Sequence, residues 1–303
     1  MVRAVATSTN AAGADVTHVM GATSVLGWAL VRTAHGRRRV QPCCNAHNRH
    51  AATGAWPRFN TEDARAWALF FEEHRVRRLI YAAGVCDVDR CEADPVFAWT
   101  VNVGGLECML DALPADVRLV YCSSDHVFAG RDEAYREHDA PEPVSVYGRT
   151  RVEAEARVRA GRPDALIVRI GLPVGPSLDG RTGHLDWLRH RHARALPMTL
   201  IEDERRSAVW ADAAAVRIHE LVDSSVAGIR HLTSTGALSR PELAERLCAW
   251  LGIRPRFRYE RRDDLEGPHL GNVELDSSFT DALATPLPAI MPPSRDASVE
   301  EAR

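Results

Sequence analysis

The sequence predicts an α/β fold: a doubly wound parallel sheet followed by a smaller C-terminal α/β lobe. Three observations carry that expectation. Short apolar runs alternate with stretches of helical periodicity, a glycine-bordered turn follows the first run, and small or polar residues follow several of the later runs.

The first ordered element is expected near Asp15, because MVRAVATSTNAAGA is small and polar enough to stay loose. VTHVM reads as a short strand, followed by GATSVLG from Gly21 to Gly27 and a helical pattern in which Val25, Leu26, Ala29 and Leu30 recur. RRVQPCC reads as the second strand and, after a variable loop, DARAWALFFEEHR as a helix. RRLIYAAG is then a strand, DPVFAWTVNVGGLECMLDAL a helix, VRLVYCSSD a strand, YGRTRVEAEARVRAG a helix and ALIVRIG a strand. This is the order of a Rossmann-type sheet. Beyond residue 172 the pattern loosens: GHLDWLRHRHARA, ERRSAVWADAAAVRIHELV and SRPELAERLCAWLG read as helices and GIRHLTS as a strand, with a loose tail from Pro286. The expected organisation is a tail over 1–14, a dinucleotide-binding domain over 15–172, a substrate region over 173–290 from which some segments return to the first core, and a tail over 291–303.

Composition narrows the class. A chain of 303 residues, 45% hydrophobic with a formal net charge of -3, has enough apolar material for one large core with an added lobe and no bulk attraction for nucleic acid or an anionic membrane. All basic residues are arginine, so arginine at any one position is weak evidence of lost function. Seven cysteines, an odd number without a CxxC, fit a reducing compartment, and no apolar run approaches the ~18 residues of a spanning helix. The expectation is a soluble cytoplasmic protein, with a homodimer as one partner state that surface helices of this fold allow.

In doubly wound sheets ligands bind beyond the carboxyl ends of the strands. Gly21, Thr23, Ser24, Val25, Leu26 and Gly27 fall there, at a strand-to-helix turn whose helix N-terminus offers unpaired N–H groups to a dinucleotide pyrophosphate. Ala83 and Gly84, Ser124, and Gly171 to Pro173 (with Leu172 between them) fall at the same edge. The middle position of the glycine motif is Ser24, whose hydroxyl can bond a phosphate and whose Cβ can crowd one.

Tyr147 and Arg151 stand one helical turn apart, downstream of a strand ending at Ser123, Ser124 and Asp125. With a nicotinamide cofactor supplying hydride, Tyr147 is the natural proton donor and Ser124 the donor to the growing negative charge on a carbonyl oxygen. Bringing a phenol from ~10 to about 7 takes roughly 4 kcal/mol, to which a fixed cation one turn away contributes. Arginine keeps the charge, but its planar fork cannot surrender a proton. Taken bare, YxxxR equally describes a half-buried tyrosine with a solvated arginine facing Glu155 at i+4.

The ordered series GATSVLG, AAGVCDVDRCEADPVFAWTVNV, YCSSDHVFAG, VYGRTRVEAE, RIGLPVG and EDERRSAVWADAAA resembles the extended short-chain dehydrogenase/reductases, and within them the dTDP-4-dehydrorhamnose reductase-like group, from about residue 16 to about 290. The resemblance implies that Ser124 holds the catalytic Ser/Thr position, Tyr147 the acid position and Arg151 the position of the family's lysine. It implies further that Asn102 lies near the active site, that Ala82, Ala83 and Gly84 line the cofactor cleft, and that Asn60 stands where the family often has an aspartate near the adenine.

The second strand is followed by Asn45, Ala46, His47, Asn48, Arg49 and His50, without a carboxylate to accept a ribose 2'-hydroxyl. NADP(H) is therefore preferred, with Arg49 and His47 as 2'-phosphate partners, and NAD(H) is the other candidate. Ser123 and Asp125 are candidate substrate contacts, and Arg205 or Arg206 a clamp on a nucleotide-sugar pyrophosphate. His184, His190 and His192 lack a companion cysteine or carboxylate at ligand spacing and are read as a polar helix face, so no metal is expected. The expected activity is reduction of a keto group on a nucleotide-activated deoxysugar. The alternatives are a non-catalytic cofactor-binding subunit of the same fold and an epimerase or dehydratase that recycles its cofactor.

Overall fold

The computed structural model describes residues 16–34 and 39–291. Its strands are β1 (Val16–Met20), β2 (Arg39–Asn45), β3 (Arg58–Phe59), β4 (Arg78–Tyr81), β5 (Arg118–Ser124), β6 (Leu166–Ile170), β7 (Leu172–Val174), β8 (Thr199–Ile201), β9 (Arg205–Arg206), β10 (Ala208–Trp210), β11 (Gly228–Leu232), β12 (Leu238–Ser239), β13 (Arg258–Glu260) and β14 (Asn272–Val273). Its helices are α1 (Val25–Arg32), α2 (Ala64–His74), α3 (Val88–Ala93), α4 (Pro95–Trp99), α5 (Gly105–Ala112), α6 (Val146–Gly161), α7 (His184–Ala193), α8 (Ala211–Asp223) and α9 (Arg240–Leu251).

Seven strands form one sheet in the order β11-β6-β5-β4-β1-β2-β3, and every pairing in it is parallel. The alternation in β5 shows why the sheet is covered on both faces. Val120 and Cys122 point into a core with α1 and α8, built on Val25, Leu26, Ala29, Leu30, Ala214, Ala215 and Ile218. Leu119 and Tyr121 point into the opposite core, with Trp67 and Phe71 of α2, Leu106 and Met109 of α5, and Ala154 and Val158 of α6. Strands buried on both sides have no polar face to show, which is why they read as continuous apolar runs. The order reverses between β1 and β4, so the crevice for a ligand opens where Gly21 and Ala82 follow those two strands. The Ala82 amide bonds to the Met20 carbonyl at 2.9 Å and holds the two ends side by side.

Three expectations are corrected. The run 204–222, expected as one helix, is helical only from Ala211; before it, β9 pairs with β12 and β14, and β10 pairs in parallel with β7. Tertiary pairing overrides local helical preference in this stretch. The helix expected over 94–113 is three pieces, α4, a π-helical turn Thr100–Gly104 and α5. The stretch from Pro286, expected to be loose, is docked through Met291's neighbours: Leu287 and Ile290 are buried, and the Leu287 amide bonds to the Thr233 carbonyl at 2.9 Å. The tails expected over 1–14 and beyond Met291 lie outside the described residues.

The second lobe has its own core of Val174, Leu185, Leu188, Met198, Leu238, Leu243 and Leu247. Helix α8 and strand β11 leave it and return to the first core and sheet. Among the described residues no helix is long and apolar enough to cross a membrane.

Candidate active site

The turn after β1 is closed too tightly for any side chain. Gly21 has φ +88°, and a Cβ there would lie 2.5 Å from the Ala82 carbonyl oxygen; at Gly27 a Cβ would lie 2.1 Å from the carbonyl oxygen of Gly21. Both glycines are therefore required by close backbone approach. Ser24 caps α1: its hydroxyl accepts from the Gly27 amide at 3.1 Å and donates to the Gly21 carbonyl at 3.0 Å. The serine in the middle of the motif thus spends its hydroxyl on the turn itself. The amides of Val25 and Leu26, in the first turn of α1, have no intrahelical carbonyl to bond, which leaves them as donors of the kind a phosphate accepts from. Thr23 is tied by its carbonyl to the Leu178 amide at 3.2 Å, which brings the loop after β7 over the turn.

Ala82 and Ala83 are half-buried and Gly84 is exposed, with φ +142°. A Cβ on Gly84 would lie 2.5 Å from Nη2 of Arg151 and 2.7 Å from Oδ1 of Asn102, so this edge of the crevice is a cradle that only glycine leaves open. Asn102 is 2% exposed and fully engaged: Oδ1 accepts from the Val85 amide at 2.8 Å, and Nδ2 donates to the Val85 carbonyl and to Thr150 Oγ1, each at 3.0 Å. It ties the loop after β4 to α6. Together the glycine turn, the amides of α1 and the Gly84 cradle fit a nicotinamide dinucleotide.

Helix α6 begins with Ser145 as cap, its hydroxyl accepting from the Gly148 amide at 3.0 Å. The face it turns to the sheet carries Tyr147, Arg151, Ala154, Glu155 and Val158, all buried. Arg151 is therefore not a solvated partner of Glu155. Its Nη1 donates to the Tyr121 hydroxyl at 2.9 Å, and its guanidinium carbon stands 5.0 Å from the centre of the Tyr147 ring. Glu155 instead accepts from Ser123 Oγ at 2.6 Å and pairs with the buried Arg169 at 2.7 Å. Burial pushes the Tyr147 phenol above its ordinary value; the Arg151 charge pulls it back, Cys86 adds to the rise, and Ser124 and Arg151 pull it down as hydrogen-bonding partners. Burial also disfavours the Arg151 charge, but the phenol oxygens of Tyr121 and Tyr147 outweigh this and hold its pKa above that of an ordinary arginine.

Ser124 ends β5, and its Oγ lies 3.3 Å from both the His126 amide and Asp125 Oδ1. Asp125 is fully buried and takes two bonds from Arg206, one from Nε at 2.6 Å and one from Nη2. Arg206 Nη1 reaches Glu204 at 3.2 Å and His126 Nε2 at 3.3 Å. Glu204 also accepts from Arg240 Nη2 at 2.7 Å, and Arg240 Nη1 meets His184 Nε2 at 2.7 Å. A chain of alternating charge thus joins the Ser124 turn to β9, α9 and α7. Burial, followed by the nearby Arg206 and Arg240 charges, holds the His126 imidazole far below its usual range and hence neutral.

Of the candidate residues, Ser124, Tyr147, Arg151, Gly84 and Asn102 meet at one edge of the sheet, and the turn from Gly21 to Gly27 stands at the same edge. Ser123, Asp125 and Arg206 are turned into ion-paired and hydrogen-bonded interiors. Arg205 is exposed and spans Glu242 Oε2 at 3.4 Å and the Ala237 carbonyl at 2.8 Å. Asn45 ends β2, its Oδ1 accepting from the His47 amide at 3.0 Å; His47, Arg49 and Asn60 are exposed. Leu172 belongs to β7 and packs on the core of the second lobe. Among the described residues no three metal-ligating side chains cluster. Sequence reasoning missed Tyr121, Thr150, Glu204 and Arg240. Only Tyr121 left a signal, since it shares with Ser123 the strand face that α6 covers.

The parallel sheet with its glycine turn at the switch point is the dinucleotide-binding arrangement of the extended short-chain dehydrogenase/reductases. More particularly, the chain belongs to the RmlD substrate binding domain family, whose model matches residues 17–263. It is 29% identical over 242 residues to the probable low-salt glycan biosynthesis reductase Agl14 of Haloferax volcanii, covering 77% of this chain and 79% of that protein. It is 30% identical over 195 residues to the dTDP-4-dehydrorhamnose reductase of Mycolicibacterium smegmatis, covering 61% and 59%. In fold it is similar to the dTDP-4-dehydrorhamnose reductase of Bacillus anthracis solved in complex with NADP, with a TM-score of 0.74, 20% identity and coverage of 86% of this chain and 90% of that one.

Proposed function

We propose that this chain is an NADP(H)-dependent reductase of a keto group on a nucleotide-activated deoxysugar. The observation that carries the reading is the buried Tyr147 ring with the Arg151 guanidinium carbon 5.0 Å from its centre, beside the Gly84 cradle. Reductases of dTDP-linked keto sugars among the relatives support the substrate class. The exposed His47 and Arg49, in a stretch without a carboxylate, support the 2'-phosphate form of the cofactor.

When bound, the cofactor supplies the hydride. The Ser124 hydroxyl donates to the keto oxygen as negative charge grows on it, and Tyr147 Oη gives that oxygen its proton. A phenol raised by burial is fully protonated at neutral pH, the state that the reductive direction needs. Arg151 stabilises the phenolate left behind but cannot pass on a proton, so Tyr147 is recharged from solvent.

The test is NADPH oxidation by the purified protein with a dTDP-4-dehydro-6-deoxy sugar. Tyr147→Phe is expected to abolish turnover while NADPH binding persists; retained turnover removes Tyr147 from the mechanism. A second reading, a non-catalytic cofactor-binding subunit, is favoured by the engagement of Arg151 with Tyr121 at the position where the resemblance puts the family's lysine. Tight NADPH binding without turnover in both wild type and Arg151→Lys would support it, whereas a gain of turnover in Arg151→Lys would mark a weakened enzyme.

A further inference from the structure

A lysine ammonium is a single nitrogen on a flexible stem, and it can swing towards whatever acceptor a bound ligand presents. A guanidinium is a rigid plane, and its nitrogens cannot be aimed independently. Where the plane lies at position 151 therefore decides what the residue can do.

Two contacts and one unpartnered nitrogen describe that plane. Nη1 is anchored on the Tyr121 hydroxyl at 2.9 Å. Nε is buried without a partner. Nη2 lies against Gly84, close enough that a Cβ there would come within 2.5 Å of it, and Gly84 is itself exposed at the crevice edge. Only Nη2 is thus directed to the side from which a ligand approaches. Tyr121 is well suited to hold the other end: it is fully buried on β5, packed beside Tyr81 at 6.2 Å between ring centres, and burial pushes its phenol up to about 12 despite the Arg151 charge, so it remains a neutral acceptor.

We infer that Tyr121 is a positioning residue that makes arginine serviceable at position 151, by taking Nη1 and turning Nη2 towards a ribose hydroxyl oxygen of the bound dinucleotide. The inference rests on the dinucleotide site proposed above and is independent of the sugar substrate. It makes the need for Tyr121 conditional: a lysine at 151 has no second nitrogen to park.

The experiment is a double-mutant cycle read by NADPH and NADP+ binding, using fluorescence and calorimetric titration of wild type, Tyr121→Phe, Arg151→Lys and the double variant, with thermal unfolding of each. Tyr121→Phe in the Arg151 protein is expected to weaken binding about tenfold, the scale of a lost hydrogen bond to a charged group. In the Arg151→Lys protein the same change is expected to alter binding less than twofold, although it removes the same oxygen from the same core. Equal weakening in both backgrounds, or none in either, overturns the inference, and the thermal data show whether a shared loss is one of folding. If wild type binds neither NADPH nor NADP+, both this inference and the proposed cofactor site fall; binding with no coupling removes only the role of Tyr121.

Discussion

Asp125 and Arg206 form a two-pronged ion pair in which neither side chain is more than 2% exposed, and they come from different parts of the chain: one follows Ser124 directly, the other lies on β9 in the second lobe. The pair is continued by Glu204 and Arg240, so the turn that carries Ser124 is held by charge from the lobe opposite. Removing Arg206 leaves the buried Asp125 carboxylate without its counter-charge, while Glu204 keeps Arg240. Arg206→Met is therefore expected to destabilise the protein by about 3–5 kcal/mol in denaturant unfolding. Adding Asp125→Leu, which removes one stranded charge as well, should recover part of that loss.

Gly84 stands at φ +142° with Arg151 and Asn102 against it. Gly84→Ala meets both an unfavourable backbone and a steric clash, at an expected cost of about 1–3 kcal/mol. Because the added methyl displaces Nη2 of Arg151, NADPH titration should show weaker binding in the same variant, beyond what the loss of stability explains.

Ser24 caps α1 and bonds back to Gly21. Ser24→Ala is expected to cost about 1 kcal/mol and Ser24→Gly only a few tenths in chemical unfolding, since glycine leaves the helix end open to water. Equal losses would mean that the cap is not what the hydroxyl contributes.

His18 lies in β1, 4% exposed, with Phe70 edge-on at 5.6 Å. Burial, and then the neighbouring His74, lowers its pKa from 6.5 to about 4. The unfolded chain binds a proton below pH 6.5 while the folded one stays neutral down to pH about 4, so stability falls as pH drops through that window and this contribution levels off below it. The loss amounts to about 3 kcal/mol. Unfolding measured from pH 7 to pH 4 should show this slope added to that of the other buried imidazoles such as His126, and His18→Gln should lower the total by about 3 kcal/mol.

Much of this was legible in the chain because it is local. The order of strands and helices follows from apolar periodicity, the turn from Gly21 to Gly27 from two glycines that backbone contact makes obligatory, and α6 from a polar, arginine-rich stretch whose buried face still recurs at 147, 151, 154, 155 and 158. Ser124 ends β5 and Tyr147 lies in the first turn of α6, which is why their positions in the chain suggested a common sheet edge. What failed was reading that depended on partners far away. β9 and β10 look helical until β12, β14 and β7 are beside them, and the residues from Pro286 look loose until Leu287 pairs with the stretch Thr233 to Thr235 that follows β11.

The sequence by itself determined the parallel sheet and the residue types that follow its strands, because hydrophobic spacing and glycine sterics act over a few residues, whereas the strand order that places the switch point came from long-range pairing. Only the tertiary structure decided where the charges point. An arginine reads the same whether it meets solvent, a phosphate or a buried carboxylate, and the choice rests on groups 30 or 81 positions away: Tyr121 for Arg151, Asp125 for Arg206. Burying a charge without a partner costs so much that the fold must bring partner and charge together, yet no local pattern announces which partner that is.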